Sequence, residues 1–456
     1  MSSDYEVIKI DIASEDDINR EIGDPVGTFQ VPYSDWQQKN KVLDVYEIPI
    51  EFCFFRKENG RIRSEVLSHE KDHGPLFVKD PETQEILKNF LKNSDSTKNI
   101  ELKKYLKEQG QTEPAVITAD GFLINGNRRK MALTDLYEET GDLKYKKIKV
   151  CILPGTDKPE QPTPLLITLL EHRFQARGDG KSEYTNMNKA LTAKKSLSNE
   201  VKLETLLQDD PAFASTDEKQ FKKNMELFKR RYLKPLELMD QYLEYNKIEQ
   251  KYELVKDRWD AFAEAQNYIS GKLDNINFML ENEFDDSDKA QIIQAVFNII
   301  KLNHKDSYEI ERRRADIVRD VFRRYAKADK QELLKLGSID VGAQSNSDPV
   351  SSYEEWQNNE GQLVLNSLKK LKNKSAKIKE KETPVDRLEE ALSKLTNNKV
   401  WGEGLGKTID EKELAKAQRL TIDLQRAVKK LYNLFQDYEN KYQEFQDYID
   451  EMNQHK

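Results

Sequence analysis

The chain has 456 residues, which at about 100 to 200 residues per domain indicates two to four folding units rather than one compact core. Its 74 lysine and arginine residues are outnumbered by 82 aspartate and glutamate residues, and the net charge of -8 excludes a protein that is basic overall. Charged residues make up 34% of the chain and apolar residues 37%, a balance that favours helices with broad solvated faces.

Neither a secretory signal nor a membrane-spanning run is found in the sequence. The first residues, MSSDYEVIKIDIASEDD, lack the cationic and apolar regions of a signal peptide, and no run of about 18 apolar residues follows. We therefore expect a cytoplasmic protein. Cys53 and Cys151 are the only cysteines, too few for a disulfide framework or a structural zinc site, so any metal would be held by oxygen ligands.

Residues 41–154 predict a compact domain that mixes strands and helices, after an extension at residues 1–40. Strands are predicted at 42–50, 115–118, 122–125 and 147–153, and helices from Pro81 to about residue 91, from 100 to 106 and from 128 to 140. The Ala-Asp-Gly sequence between the second and third strands favours a tight hairpin turn. Residues 56–63, RKENGRIR, are predicted to form a polar, basic loop.

Helical periodicity dominates the remainder of the chain. Residues 155–164 contain three prolines and are predicted to be a linker or a surface loop. A helical middle region, 155–336, contains predicted helices at 165–175, 184–196, 219–245, 252–269 and 289–302. Residues 337–352 have the composition of a flexible linker. The last region, 353–456, includes a long amphipathic helix at 409–455 that predicts either self-association as a coiled coil or a hairpin with residues 385–395.

The strongest chemical signal is the turn from the strand at 122–125 into the following helix. Gly126 is followed by Asn127, Arg128 and Arg129 at the start of that helix. Free backbone amides, the positive end of the helix dipole and two guanidinium groups together favour phosphate oxygens. The alternative is that both arginines are solvated or pair with nearby acids. A second glycine-rich segment, WGEGLGKT at 401–408, only imitates a P-loop and is predicted to be a flexible turn.

The surroundings of this turn resemble the N-terminal domain of the ParB family of partition proteins, whose fold is shared with sulfiredoxins. In that family a helix, a glycine and a Q-x-P-I-x-V strand precede a hairpin and the box G-E-R-R-x-R-A. The matching segments are 47–63 (EIPIEFCFFRKENGRIR, similar to the first box), 102–110, 111–117, 120–121, 126–132 (GNRRKMA) and 171–175 (EHRFQ, in place of the third box, E-N-x-Q-R). The resemblance covers about residues 42–197.

The resemblance implies an α+β domain of the ParB and sulfiredoxin type followed by mainly helical regions, and a bound nucleoside triphosphate, CTP or ATP, with magnesium. The implied nucleotide-binding residues are Gly126, Asn127, Arg128, Arg129 and Arg173, and the implied magnesium ligand is Glu171. Three residues depart from the family pattern, namely Asn127, Met131 and His172. Because magnesium prefers oxygen ligands, His172 favours nucleotide binding over hydrolysis. Asn127 stands where sulfiredoxins carry their reactive cysteine, which excludes that chemistry.

A locally basic helix supplies a signal for nucleic-acid binding. Residues 219–234 carry seven basic side chains against one acid, within an acidic protein. The candidate DNA-binding residues are Lys222, Lys223, Lys229, Arg230 and Arg231. They lie where ParB proteins carry a helix-turn-helix, although the short turn of that motif is hard to place here. A second basic stripe runs from Arg312 to Arg324. For both stripes the alternative is a solvated helix that pairs with acidic neighbours.

Together with the resemblance to ParB proteins, these patterns imply a nucleotide-responsive DNA-binding protein of a prokaryote or phage, with a homo-oligomer formed through its C-terminal helices. A metal-dependent nuclease or nucleoside triphosphatase of a mobile-element or phage-defence system is the alternative, with the same fold as its catalytic domain. A third hypothesis is a scaffold that keeps the fold and binds no ligand.

Overall fold

The structure is a computed structural model that describes residues 12–32, 41–155, 162–176, 184–208, 210–302, 313–339, 349–381, 388 and 411–454. The chain forms two compact units, Met1–Ala376 and Lys377–Lys456. The division therefore falls after Ala376 and not in the predicted linker at 337–352. Most described residues are helical, and a small mixed sheet lies near the N-terminus. Among all the described residues, no helix is both long and apolar enough to cross a membrane.

The sheet has five strands, of which the sequence predicted four. The strands are β1 (Gly27–Val31), β2 (Lys41–Pro49), β3 (Ala115–Ile117), β4 (Leu123–Asn125) and β5 (Lys147–Ile152), in the spatial order β1-β2-β5-β3-β4. β3 and β5 are parallel, and the other pairs are antiparallel. β1 lies in the predicted N-terminal extension. It is an edge strand of five residues in which only Val31 is buried, although Phe29 and Val31 alternate with Thr28 and Gln30.

Helices cover both faces of the sheet. The first five are α1 (Ile12–Glu21), α2 (Arg63–His73), α3 (Pro81–Ser94), α4 (Ser96–Gln109) and α5 (Asn127–Thr140), and α6 (Pro164–Ala176) follows the sheet in the chain. One face packs Ile117 and Ile148 against Leu87 and Leu91 of α3. The opposite face carries Val45, Val116, Ile124 and Cys151 and packs on Ile167, Leu170 and Phe174 of α6. The strands thus bury alternate residues on opposite sides, as the period of two requires.

Neither α1 nor α2 was predicted from the sequence pattern, and α2 shows why. Two of its three buried residues, Ser64 and Ser68, are polar, and they are satisfied by hydrogen bonds across long stretches of chain. The Ser64 amide donates to Asn188 Oδ1 at 3.0 Å, and Ser68 Oγ donates to the Gln250 carbonyl at 3.2 Å. A helix that buries serine through remote partners shows little apolar periodicity in its own sequence.

The helical region continues the first unit. Its helices are α7 (Asn186–Ser198), α8 (Leu203–Gln208), α9 (Glu218–Phe228), α10 (Lys234–Tyr245), α11 (Trp259–Tyr268), α12 (Ile276–Glu281), α13 (Asp286–Lys301), α14 (Arg314–Asp320), a turn at Ala326–Ala328, α15 (Lys330–Gly337) and α16 (Pro349–Lys381). π-helical turns at Lys229–Leu233, Ile269–Leu273 and Val321–Tyr325 extend α9, α11 and α14, and 3-10 turns occur at Ile50–Phe52, Leu143–Lys146 and Tyr252–Arg258. The helices predicted in residues 165–302 are therefore present. Tyr353 and Trp356 of α16 are buried in the hydrophobic core that these helices form.

The second unit contains α17 (Glu411–Gln454), a helix of 44 residues that coincides with the predicted C-terminal helix. Its large apolar residues between 420 and 442 are exposed, including Leu424, Leu431 and Tyr438. Residue 388 apart, the predicted hairpin partner at 385–395 lies outside the described residues, as does the glycine-rich segment at 401–408.

A buried lysine joins α13 to α16 and makes folding sensitive to pH. Lys301 is 1% exposed, and its Nζ lies 4.4 Å from the ring centroid of Trp356 and 4.9 Å from that of Tyr353. Burial lowers the pKa of Lys301 to about 7, against the opposing charge of Glu360. Between that pKa and the ordinary lysine pKa, the unfolded chain binds more protons than the folded one. This contribution to stability is therefore smallest below pH 7 and grows as pH rises.

We expect Lys301→Met to abolish this pH dependence. The difference in unfolding free energy between the wild type and the variant should shift in favour of the wild type by about 1 kcal/mol per pH unit between about pH 7.5 and 9.5. This pH range lies between the pKa of Lys301 in the folded protein and that of an ordinary lysine. Urea denaturation across that range measures the difference, and Lys335→Met controls for the loss of an exposed lysine of α15. A wild-type to variant difference that stays constant with pH would show that the two rings keep Lys301 protonated.

Candidate functional site

A cavity of about 800 Å³ lies at the start of α5, within the first compact unit. Its walls come from α4, from the turn between β4 and α5, from α6 and α7, and from the loop at 210–213 with the end of α9. Its size falls in the range of small-molecule binding sites. The turn that the sequence analysis singled out therefore opens into a cavity shared by the sheet domain and the helical region.

The turn itself depends on a glycine. Gly126 has φ +97°, and a Cβ built on it would lie 2.5 Å from Ala115 Cβ, so β3 and the turn approach each other too closely for a side chain. The Gly126 amide donates to Asn125 Oδ1 at 2.8 Å. The next amides, at the first turn of α5, have no acceptor within the helix and point out of its positive end. Gly126 and Asn127 both line the cavity.

Arg128 presents a guanidinium group to the cavity. Its Nε donates to Asn99 Oδ1 at 2.6 Å, which fixes the side chain against α4. Among the described residues its buried Nη2 has no hydrogen-bond partner. Burial lowers the pKa of Arg128, and the positive charge of Arg61 lowers it further, whereas the charges of Asp95 and Glu101 raise it. Two cations thus lie near each other at the cavity wall, and a bound anion would add to the negative charge that Asp95 and Glu101 supply.

Arg129 is held differently. Its Nη1 donates to the carbonyls of Glu113 and Pro114 at 2.6 and 2.7 Å, and its Nη2 lies 3.3 Å from Glu113 Oε2. Burial lowers the pKa of Arg129, and Glu113 opposes that shift. The alternative reading, pairing with a nearby acid, therefore applies to Arg129, and Arg128 also lies within the charge of Asp95 and Glu101. Arg129 secures the chain before β3 and contributes positive charge to the wall.

Arg61 is a cavity residue that the sequence analysis did not single out. Its guanidinium lies 5.0 Å from the ring centroid of Tyr184, and its carbonyl accepts a hydrogen bond from Asn188 Nδ2 at 2.8 Å. The preceding Gly60 packs so closely on Thr192 that a Cβ would clash. The loop that carries Arg61 is therefore held by α7, more than 120 residues away in the chain. The only sequence signal was the basic character of residues 56–63.

Glu171, the predicted magnesium ligand, lies in the cavity wall and is buried. Its Oε2 accepts from Arg56 Nη1 at 3.2 Å, and its Oε1 accepts from the Gly60 amide at 3.4 Å. Burial raises the pKa of Glu171, and the charge of Arg56 opposes this shift. In the part of the chain that the structure describes, no group of three or more His, Cys, Asp or Glu side chains is placed to hold a metal. Magnesium binding by Glu171 stays a prediction.

The two residues that follow Glu171 in the chain have different surroundings. His172 lines the cavity, whereas Arg173 is not among the lining residues. Arg173 Nη1 instead donates to the Pro32 carbonyl at 2.9 Å, next to the edge strand β1. The structure therefore brings Gly126, Asn127, Arg128 and Arg129 together and leaves the fifth predicted nucleotide-binding residue outside the group.

The predicted DNA-binding residues lie along one continuous helical stretch, and one of them reaches the cavity. Lys222 and Lys229 pair with Glu218 and Glu226 at 2.7 Å, within the same stretch, and Lys223 and Arg230 are exposed. Arg231 lines the cavity beside Tyr232. Residues 209–217 separate α8 from α9, which is longer than the turn of a helix-turn-helix.

The second basic stripe is largely paired with acids, as its alternative reading proposed. Arg314 is buried and its Nη1 lies 3.1 Å from Asp257 Oδ2. Arg319 pairs with Glu264 and Asp316. Arg312 lies outside the described residues. This stripe therefore offers little uncompensated charge to a phosphate backbone.

The cavity lining combines positive charge with aromatic rings. The cations are Arg61, Lys98, Arg128, Arg129, Lys189 and Arg231, the carboxylates are Glu101, Glu113, Glu171 and Asp210, and the rings are those of Tyr105, Phe174, Tyr184, Phe213, Phe228 and Tyr232. Cations outnumber carboxylates among these residues, and the rings can stack on a planar group. Such a lining suits an anionic ligand with an aromatic part.

Comparisons of the chain with protein families, with characterised proteins and with solved structures found no match.

Proposed function

We propose that the cavity binds a nucleoside triphosphate, with the phosphates at the start of α5 and the base among the aromatic rings. The observation that carries the proposal is the position of Arg128 and of a second cation, Arg61, in the cavity wall at the start of α5, whose first amides have no acceptor within the helix. Helix starts bind phosphate through such amides, and guanidinium groups add charge-assisted hydrogen bonds.

The resemblance to ParB proteins supports the same ligand. The β3–β4 hairpin, the glycine turn and α5 occur in the order of the family motif, and the motif in that family binds CTP. On this proposal the sheet domain is a divergent ParB-like domain, and CTP or ATP with magnesium is its ligand. Glu171 is then the carboxylate of the cavity wall that would hold the metal, after exchanging one contact of its own for it.

A ligand in this cavity would contact two parts of the chain. Arg61 and Arg128 come from the sheet domain, whereas Lys189, Asp210 and Arg231 come from the helical region. A bound triphosphate would favour the arrangement of these parts that contacts it best. Because Arg231 belongs to the stretch that carries the predicted DNA-binding residues, we propose that the nucleotide changes the affinity of this stretch for DNA.

Nucleotide binding is tested by calorimetry of the full chain with CTP, ATP, GTP and UTP in the presence of magnesium. We expect at least one nucleotide to bind, and Arg128→Ala to weaken it by roughly 10- to 100-fold, because hydrogen bonds to charged groups contribute roughly 1.5–3 kcal/mol. Lys104→Ala is the matched control, since Lys104 is an exposed cation of α4 outside the cavity lining. Equal affinity of the wild type and Arg128→Ala would remove the proposed site.

The DNA arm of the proposal is tested with the variant Lys223→Glu and Arg230→Glu. These two exposed residues do not line the cavity, so nucleotide affinity should be unchanged while duplex binding is lost. Duplex affinity of the wild type should depend on the nucleotide and fall as salt rises. A duplex affinity that is identical with and without nucleotide would separate the two activities and contradict the coupling.

A metal-dependent nuclease or nucleoside triphosphatase is the second candidate, and its supporting observation is the buried carboxylate of Glu171 in the cavity wall. Both oxygens of Glu171 already accept hydrogen bonds, which favours binding over cleavage. Cleavage of plasmid DNA, or release of phosphate, that requires magnesium and is lost in Glu171→Gln would support this candidate instead.

We also propose that the chain self-associates through α17. The large apolar side chains of this helix between residues 420 and 442 are 40% to 65% exposed, and an apolar stripe of this length is stabilised by burial against a partner.

A further inference from the structure

The exposed side chains of α17 follow a heptad repeat. Leu424, Val428, Leu431, Phe435, Tyr438 and Tyr442 are separated by steps of four, three, four, three and four residues. Such steps place all six on one seam of the helix, alternating between the a and d positions of a coiled coil. Leu420 and Leu434 widen the seam on one side. The repeat identifies the partner's shape as another helix.

The charges of α17 change sign near its middle. Residues 418–430 contain the bases Arg419, Arg426, Lys429 and Lys430 and the acid Asp423. Residues 431–444 contain the acids Asp437, Glu439 and Glu444 and the base Lys441. The helix therefore has a positive first half and a negative second half, with the change between Lys430 and Leu431.

From these two features we infer that two copies of α17 pair antiparallel, an orientation that rests on the proposed self-association and goes beyond it. An antiparallel pair lays each positive half along the negative half of the partner. A parallel pair would align like charges over the whole length. Most of these charges lie off the apolar seam, where salt screens them, so they select the orientation while the seam supplies the affinity.

The side-chain sizes along the seam select a register. In an antiparallel pair an a residue faces a d residue. If Val428 faces the partner's Leu431, then Leu424 faces the partner's Phe435, and Thr421 faces the partner's Tyr438. Small residues then face large ones, as close packing requires. The two-fold axis falls between residues 429 and 430, next to the change of sign, so the overlap of opposite charges is nearly complete.

This register predicts a separation between the two copies of Thr421 that a parallel pair cannot produce. The two copies of Thr421 would lie about 25 Å apart along the rod, since 17 residues at a rise of about 1.5 Å separate position 421 from position 438. In a parallel pair they would face each other. The two chains would likewise begin α17 at opposite ends of the rod, about 55 Å apart.

Disulfide trapping distinguishes the orientations. The variants Thr421→Cys and Tyr438→Cys are made separately in the full chain, whose native Cys53 and Cys151 are both buried. We expect no disulfide-linked dimer from either variant alone, and a linked dimer when the two are mixed, exchanged and oxidised. Linked dimers from each variant alone would show a parallel pair and overturn the inference.

Sedimentation of the full chain tests the association itself. We expect a dimer for the wild type and a monomer for Leu424→Glu with Leu431→Glu. Asn433→Glu with Asn440→Glu is the matched control, because both residues are exposed on the face away from the seam, and it should stay a dimer. A monomeric wild type would overturn the proposed self-association. A dimer that survives the leucine changes, or that gives no linked species when the variants are mixed, would overturn the antiparallel seam alone.

Discussion

Gly126→Ala is expected to destabilise the folded protein by about 2 to 6 kcal/mol. Gly126 has φ +97°, where a residue with a Cβ is strained by roughly 1–3 kcal/mol. The new methyl group would also lie 2.5 Å from Ala115 Cβ and 3.1 Å from Ala115 Cα, so β3 or the start of α5 must move. Overpacking of that kind costs about 1–3 kcal/mol. Urea denaturation measures the sum.

Gly141→Ala separates the two causes. Gly141 ends α5 with φ +66°, but nothing lies within 4 Å of a Cβ built there. Its substitution should therefore cost only the conformational part, about 1 kcal/mol. Equal losses of unfolding free energy for the two variants would show that the close approach of Gly126 to β3 does not add to the cost of Gly126→Ala.

Gly126→Ala is also expected to weaken binding of the proposed nucleotide. A shift of the first turn of α5 would move the amides and Arg128 together, because the Arg128 side chain continues from that turn to Asn99. Folded Gly126→Ala should therefore bind nucleotide more weakly than folded Gly141→Ala, whose change lies at the other end of α5. Calorimetry below the unfolding transition measures this difference, and equal affinities would place the ligand elsewhere.

The glycine turn could be predicted from sequence because its signals are local. A strand pattern, Gly126 and a helix pattern are contiguous, and so the predicted hairpin and α5 agree with the structure. The partners that complete the site are remote. Arg61 is positioned by Asn188 and by the neighbour Gly60, whose amide donates to Glu171. A single sequence carries no signal for hydrogen bonds that span more than 100 residues.

The charge pattern of the sequence likewise showed where basic side chains cluster but not which groups surround each of them. Arg128 and Arg129 are adjacent, yet one is fixed by Asn99 with Nη2 buried and the other is bound to Glu113. Arg231 belongs to a stretch predicted to face DNA and also lines the cavity. Arg319 is paired with acids on two sides. Which carboxylates surround a basic side chain is decided by packing between helices, which periodicity does not encode.

Arg258→Met is expected to be among the most damaging single changes in the helical region, at about 3 to 5 kcal/mol. Arg258 is 6% exposed, and its Nη1 donates to the carbonyls of Ile300 and Lys301 at 2.9 and 3.3 Å. The same nitrogen donates to the hydroxyls of Tyr242 and Tyr353, which also bond each other at 2.6 Å. A methionine would fill the space but would remove the donor of the Ile300 carbonyl and one donor each of the Lys301 carbonyl, which keeps Gln357 Nε2 at 2.6 Å, and of the tyrosine hydroxyls, which keep their mutual bond.

The cost follows from where the acceptors lie. Ile300 and Lys301 end α13, so their carbonyls lack partners within the helix, and the two tyrosines are buried. Burial raises the pKa of Tyr242, so its hydroxyl keeps its proton and cannot compensate by ionising. Arg319→Met is the matched control, since an ion pair near the surface contributes about 0–1 kcal/mol. Urea denaturation should give a loss for Arg258→Met several times that of the control. A similar loss for both would mean that the Tyr242–Tyr353 pair and the end of α13 find other partners, and that Arg258 does not hold α16 to the core.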